Sequence, residues 1–249
     1  MDAVAAPGAR LERLYGEGRW CEGPCWDRRR NGLVFSDVRH NRMMFLPGGR
    51  GPATVLRDPS DNSNGNILDR EGRLVSCLHR SRRVVREEAD GSLTTLADAF
   101  EGRHLNSPND AALASDGAIW FTDPVFGIRQ PDEGLMAEPE QTARRVYRID
   151  PASGAVEARV EGMDQPNGIH FSPDGTVLYV AEAGAGPNPE AAGGVRAFAV
   201  SADGTLGPKR DGVAVRDAVL LHRPALERAG SRPRTPPRAL LRRPRSRHL

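Results

Sequence analysis

The chain has 249 residues, 38% hydrophobic and 27% charged, with 27 glycines and 20 prolines, a composition that suits a turn-rich globular domain. No apolar run approaches the roughly 20 residues of a membrane helix, and the first residues lack the apolar segment of a signal peptide, so we expect no membrane contact. The net charge of +2 is unevenly spread, because residues 222–249 carry +8 and residues 1–221 carry −6. The two parts are therefore different kinds of sequence.

The three cysteines favour a reducing compartment. Cys21, Cys25 and Cys77 cannot all pair, and no second Cys or His pair accompanies Cys21 and Cys25. We therefore expect free thiols, no cysteine-bound zinc and a cytoplasmic location.

A pair of turns separated by a short apolar strand recurs along the chain. It occurs as NGNILDREGRLVSCLH from Asn64, NDAALASDGAIWFTD from Asn109 and NGIHFSPDGTVLYVAE from Asn167. In each copy a glycine lies eight residues after the asparagine, in a Glu-Gly or Asp-Gly turn, and a second apolar strand follows. Two β-rich runs joined by such a turn predict a hairpin. A looser fourth copy, EGPCWDRRRNGLVFSD, starts at Glu22.

The spacing of the copies predicts a β-propeller. Asn64 and Asn109 are 45 residues apart, and Asn109 and Asn167 are 58 apart, while a blade of several strands needs about 40–50 residues. The gaps hold the further β-rich runs RMMFLP, ATVLR, RRVVRE, LTTLA, RRVYRID and VRAFAV, and no convincing helical period. We predict an all-β propeller with about four recognisable blades; a β-sandwich with coincidental hairpins is the alternative.

The shared phase of the copies gives four polar residues a second role. Innermost strands of a propeller run in one direction, so residues at equal phase form a ring at one mouth of the channel. Glu22, Asn64, Asn109 and Asn167, here called the ring residues, would lie there. A turn explains each alone, but a carboxylate and several amide oxygens converging on one axis suit a hard cation.

Together with HRSRRVVRE, EGRHLNSPND and RRVYRIDP, these segments resemble the gluconolactonase family, which includes the regucalcins. The resemblance runs from about Trp20 to about Gly207. It implies a six-bladed propeller with one catalytic divalent metal ion, bound by a glutamate, two asparagines and an aspartate. The glutamate of the family's EGP motif matches Glu22, and the asparagines of its SPND and PNG motifs match Asn109 and Asn167.

The resemblance also implies the ion and the pocket. We expect Ca²⁺, with Mg²⁺, Mn²⁺ or Zn²⁺ as alternatives. Asn64 shares the phase of the ligands without being a usual ligand, so we assign it to the substrate pocket with His104, Asn106 and Asp123. For those last three residues, a purely structural role is the alternative.

The family's fourth ligand has no clear counterpart in this chain. In the family it is an aspartate before a glycine, and it doubles as the general base. Asp211-Gly212 is the candidate, but it follows Asp203-Gly204 by only eight residues, too early for the family's pattern. We therefore leave the catalytic residues unassigned.

The segment that follows differs from a propeller blade. Residues 222–249 hold five prolines and nine arginines without strand alternation, so we predict a disordered tail after a partial propeller over residues 1–221. An arbitrary reading frame is our preferred origin for it. A basic arm for nucleic acid is the alternative, but the tail lacks interleaved aromatic residues, so we expect no nucleic-acid partner.

The sequence as a whole predicts a metal-dependent hydrolase that opens sugar lactones, with activity impaired by loss of the C-terminal blades. No GxSxG nucleophile motif occurs, so covalent serine catalysis is unsupported. A propeller that only binds calcium or a protein partner is the alternative.

Overall fold

The computed structural model describes residues 8–184, 193–201 and 204–210, which form four antiparallel sheets of four strands. The strands of each sheet pair in sequence order, as in propeller blades. Blade 1 contains β1 (Cys21–Asp27), β2 (Gly32–Asp37), β3 (Arg42–Pro47) and β4 (Thr54–Arg57); blade 2 contains β5 (Ser63–Leu68), β6 (Leu74–Leu78), β7 (Arg83–Glu87) and β8 (Leu93–Ala97). Blade 3 contains β11 (Ala111–Leu113), β12 (Ile119–Asp123), β13 (Arg144–Ile149) and β14 (Val156–Met163); blade 4 contains β15 (Pro166–Phe171), β16 (Val177–Glu182), β17 (Gly194–Val200) and β18 (Leu206–Arg210).

The repeated turns join the first two strands of each blade, as the sequence predicts. Gly72, Gly117 and Gly175 have φ angles of +74°, +93° and +73°, a backbone conformation that favours glycine. The predicted propeller and its four recognisable blades are thereby confirmed. The outer strands β14 and β18 were not predicted from sequence, because an edge strand is covered on fewer sides and β14 carries little buried apolar signal.

Three small elements depart from the blade plan. A hairpin of β9 (Ala99–Phe100) and β10 (Arg103–His104) joins blades 2 and 3, and a 3₁₀ turn spans Val38–His40. A four-residue helix, α1 (Phe126–Arg129), begins the long connection from β12 to β13 over residues 124–143. A helix this short has no period that a sequence pattern could reveal.

The hydrophobic core is divided among the interfaces between blades. Val34 and Leu74 pack together between blades 1 and 2. A larger cluster around Phe121 and Tyr147 joins blades 2 and 3, and another around Trp120 joins blades 3 and 4. Each blade is therefore stabilised chiefly by burial of apolar surface against its neighbours.

Hydrogen bonds link successive blades near the ring residues. The Gly65 N–H donates to the carbonyl oxygen of Asn109 at 2.7 Å, and Thr122 Oγ1 donates to the carbonyl oxygen of Asn167 at 2.6 Å. A Cβ atom at Gly65 would lie 2.4 Å from Oδ1 of Asp110, so only glycine permits this approach. The backbone carbonyl groups of the ring residues Asn109 and Asn167 thus each bind the preceding blade.

Two predictions from the sequence fall outside the described residues and stay predictions. They are the possible fourth ligand Asp211 and the disordered tail over residues 222–249. Among the residues that the structure does describe, no helix is long and apolar enough to cross a bilayer.

The hydrogen bond from Thr122 predicts the stability cost of removing one hydroxyl. Thr122 is buried, and its Oγ1 also accepts the N–H of Asp110 at 3.1 Å. Thr122→Val keeps the shape but leaves two backbone groups short of a partner, so we expect a loss of about 1–3 kcal/mol in urea unfolding. Thr54→Val, at an exposed position on β4, is the control and should change stability by less than about 0.5 kcal/mol. Equal losses in the two variants would contradict the inter-blade role.

Candidate functional site

The four ring residues lie at the start of the innermost strands of four consecutive blades. Glu22 is on β1, Asn64 is on β5 and Asn167 is on β15. Asn109 lies two residues before the first residue of β11, Ala111. The strands β1, β5, β11 and β15 contact one another in that order. The structure therefore places the ring residues side by side on one arc of the channel.

In three of the four blades, a buried carboxyl group at the end of the second strand fixes the backbone just before the ring residue. In blades 1, 3 and 4 it accepts hydrogen bonds from two successive backbone N–H groups, two and three residues before the ring residue, at 2.6–3.3 Å. We call each such acid a carboxyl clamp. The clamps are Asp37, Asp123 and Glu182, and the N–H pairs belong to Arg19 and Trp20, to Asn106 and Ser107, and to Asp164 and Gln165.

Blade 2 has no carboxyl clamp. The residue that pairs with Ser63, just before Asn64, is Leu78, whereas the corresponding partner in blade 4 is the acid Glu182. The three clamped ring residues, Glu22, Asn109 and Asn167, are also the three that the sequence analysis selects as metal ligands.

Burial and hydrogen bonding shift the pKa values of two clamps, Asp123 and Asp37, in opposite directions. Burial raises the pKa of Asp123 to about 7, against the hydrogen bonds from Asn106 and Ser107, which lower it. Burial also acts to raise the pKa of Asp37, but the hydrogen bond from His40 and those from backbone N–H groups bring that pKa below its usual value. Asp37 therefore stays ionised at a pH at which Asp123 is partly protonated.

The surroundings of Glu22 disfavour its negative charge. Burial raises the pKa of Glu22, a hydrogen bond from the Trp20 side chain lowers it, and the charge of Glu133 raises it further. The charge of Glu22 in turn contributes to the raised pKa of Asp110, about 6, whose main cause is burial. A cation beside Glu22 would relieve this repulsion.

The donor set fits a hard divalent cation. One carboxylate and two amide groups supply oxygen atoms only, the type of ligand that Ca²⁺ prefers. In the described part of the chain, no three His, Cys, Asp or Glu side chains are grouped so that they could hold a metal ion, so a site here depends on the asparagines. The ion would be bound jointly by the side chains of Glu22, Asn109 and Asn167.

His79 contacts one of these asparagines. Its Nε2 lies 3.3 Å from Nδ2 of Asn109, and its Nδ1 lies 3.1 Å from the carbonyl oxygen of Glu133. The imidazole is fully buried, and burial lowers the pKa of His79 to about 4. The side chain is therefore neutral at physiological pH.

The residues assigned to the substrate pocket lie in different environments. Asn64 and Asn106 are buried, and Oδ1 of Asn106 has no hydrogen-bond partner among the described residues. Asp123 is a carboxyl clamp, and His104 is exposed on β10. Contact of these four residues with a substrate stays a prediction.

Sequence reasoning missed the clamps' function, His79 and the acid Glu133. Asp37, Asp123 and Glu182 all end a β-rich run, a signal that is visible in FSD, FTD and VAE once the repeats are aligned. Glu133 has no such signal, because it lies in the irregular connection over residues 124–143.

Comparison with known proteins gives a consistent family. Residues 20–222 match the family described as SMP-30/Gluconolactonase/LRE-like region. A gluconolactonase from Zymomonas mobilis is 31% identical over 76% of this chain and 56% of its own length. The solved structure of a gluconolactonase from Xanthomonas campestris is 40% identical with a TM-score of 0.73, over 80% of this chain and 64% of that one.

A more distant structure shares the fold alone. The calcium-binding protein regucalcin from Agrobacterium tumefaciens is 20% identical with a TM-score of 0.57, over 78% of this chain and 59% of that one. The chain thus spans somewhat more than half of each of these three relatives.

The raised pKa of Asp123 predicts a pH-dependent stability. Between about pH 4 and pH 7 the folded protein holds a proton that the unfolded chain has released. The contribution of Asp123 to the free energy of unfolding therefore falls as pH rises through this window, by at most about 1.4 kcal/mol per pH unit. We expect the difference in stability between wild type and Asp123→Asn, measured by urea unfolding, to decrease from pH 5 to pH 7.

Asp174→Asn provides the matched control. Hydrogen bonds from Ser172 and Thr176 lower the pKa of Asp174 to about 2, so that carboxylate is ionised in both states above pH 5. Its difference curve should be flat between pH 5 and pH 7. A flat curve for Asp123→Asn as well would show that the clamp in blade 3 is ionised throughout.

Proposed function

This chain belongs to the SMP-30/gluconolactonase/LRE-like family, and on that basis we propose that it hydrolyses sugar lactones with one divalent cation bound at the mouth of the channel. The proposed cation is Ca²⁺, with Mg²⁺, Mn²⁺ or Zn²⁺ as alternatives. A cytoplasmic location stays a prediction.

One observation carries this proposal. The residues that match the family's ligands, Glu22, Asn109 and Asn167, begin the innermost strands of three blades, and each follows a pair of N–H groups held by a carboxyl clamp. Such support restrains the backbone just ahead of each ligand, which is how a binding site is kept ready for an ion.

The chemistry divides between the ion and the chain. When bound, the ion supplies Lewis-acid polarisation of the lactone carbonyl group. Glu22 provides the only formal charge among the three ligands, and Asn109 and Asn167 provide neutral oxygen atoms. We assign no general base among the described residues; the candidate from the sequence, Asp211, lies outside them.

A propeller that binds a cation without catalysis is the second candidate. That we assign no general base among the described residues favours it, because hydrolysis needs a group that takes a proton from water. The two functions differ in one measurable respect, since only the first consumes lactone.

Lactone hydrolysis is therefore the direct test. We expect the chain to accelerate proton release from glucono-1,5-lactone at constant pH when Ca²⁺ or Mn²⁺ is added, and not in the presence of EDTA. If calorimetry shows cation binding but lactone hydrolysis is not accelerated, the hydrolase proposal is wrong and the non-catalytic, cation-binding propeller is supported. No acceleration and no cation binding would exclude both.

Glu22→Gln tests the charged ligand. We expect Ca²⁺ affinity to fall about 100-fold or more, because loss of an outer-shell partner alone costs about 10–100-fold. The melting temperature in EDTA should stay equal or rise, since burial already disfavours the charge of Glu22. Glu17→Gln, at an exposed position nearby, is the control and should leave Ca²⁺ affinity unchanged. Unchanged calorimetric affinity in Glu22→Gln would remove Glu22 from the ligand set.

A further inference from the structure

We propose that His79 is a positioning residue that sets the orientation of the Asn109 side-chain amide, so that its oxygen atom is turned away from the imidazole and offered to the cation. This inference rests on the proposed cation site. It concerns a residue that touches a ligand and does not itself bind the ion.

The protons of the imidazole decide which amide atom faces it. The carbonyl oxygen of Glu133, 3.1 Å from Nδ1, can only accept a hydrogen bond, so Nδ1 must carry a proton. In a neutral imidazole the other nitrogen, Nε2, is then an acceptor. The atom of Asn109 that lies 3.3 Å from Nε2 must therefore be the donor Nδ2.

The orientation of Asn109 follows from this contact. The oxygen and the nitrogen of an amide diverge from the same carbon atom, so binding Nδ2 to His79 directs Oδ1 away from the imidazole. An unsupported asparagine could turn its amide and present N–H groups to a cation, which repel it. The contact with His79 removes that second orientation.

The imidazole itself is held from two sides. A Cβ atom at Gly127 of α1 would lie 2.5 Å from Cβ of His79, so the glycine lets the helix pack directly on the histidine. The carboxylate of Glu133 binds Arg39, with Nη2 and Oε1 2.8 Å apart. The connection over residues 124–143 is therefore anchored to blade 1 while its backbone orients the side chain from blade 2.

A buried histidine can also be a packing residue with no bearing on the cation. The two roles differ in what replaces the imidazole. Packing needs only volume, whereas positioning needs an acceptor towards Asn109 and a donor towards Glu133. Glutamine carries both groups, and leucine carries neither.

The test compares Ca²⁺ affinity, measured by calorimetry, in the wild type, His79→Leu and His79→Gln. We expect His79→Leu to bind Ca²⁺ about 10–100-fold more weakly, as for other outer-shell partners, and His79→Gln to recover most of the loss. Val84→Ala, which truncates a buried side chain elsewhere in blade 2, is the matched control. It should lower the melting temperature and leave the affinity unchanged.

A second measurement needs no variant to fold. Long-range ¹H–¹⁵N spectra of the wild type should show His79 as the neutral form with the proton on Nδ1. A proton on Nε2 would overturn the proposal, because the contact with Nδ2 of Asn109 would then join two donors.

The outcomes separate this inference from the proposed function. If the wild type binds Ca²⁺ and His79→Leu binds it equally well, the cation site stands and the role of His79 is overturned. Equal losses in His79→Leu and His79→Gln would also overturn it. If the wild type binds no divalent cation, the site itself is wrong, and the role of His79 with it.

Discussion

The carboxyl clamp is the interaction on which the geometry of the site depends. Where the chain enters an innermost strand, two successive N–H groups are turned away from the sheet ladder and must find acceptors in a region with little water. A carboxyl group has two oxygen atoms and can satisfy both at once, as Asp123 does for Asn106 and Ser107. Because the acid ends the neighbouring strand of the same sheet, it fixes how the chain arrives at Asn109.

Blade 2 shows what happens without a clamp. Leu78 occupies the corresponding place, and the Asn62 N–H, two residues before Asn64, donates instead to Oδ1 of Asn41 at 2.6 Å. The ring residue of this blade, Asn64, is not among the family's usual ligands. The side chain of His79 is free to reach across to Asn109 in the next blade. Blade 2 thus supports a ligand of its neighbour, whereas the other three blades support their own ring residue.

Local chemistry explains which parts of the fold the sequence could predict. Three of the hairpins follow from glycines eight residues after Asn64, Asn109 and Asn167, the looser copy from Glu22 adds a fourth, and the phase of these hairpins places the ring residues. Both signals are short in range and repeated. The outer strand β14 escaped prediction because an edge strand has weak hydrophobic alternation.

The parts that the sequence could not predict depend on distant contacts. His79 and Asn109 are 30 residues apart, and Arg39 and Glu133 are 94 apart. No repeat or motif links these pairs, because among the described residues the connection over residues 124–143 has no counterpart in blades 1 and 2. The FSD, FTD and VAE endings were visible but ambiguous, since an acid at a strand end is also an ordinary solvent-exposed stop.

The position of each clamp within its own blade has an evolutionary consequence. Asp37, Asp123 and Glu182 each support a ring residue from the same four-stranded unit, so the support does not depend on which blade comes next. Duplication of such a unit adds one more ring residue together with the carboxyl clamp that supports it. An apolar residue at the position of the acid, as at Leu78, removes the clamp of one blade and leaves the clamps of the other blades intact. The number of ligands in such a ring can therefore change during evolution, while the backbone orientation of each remaining ligand is conserved.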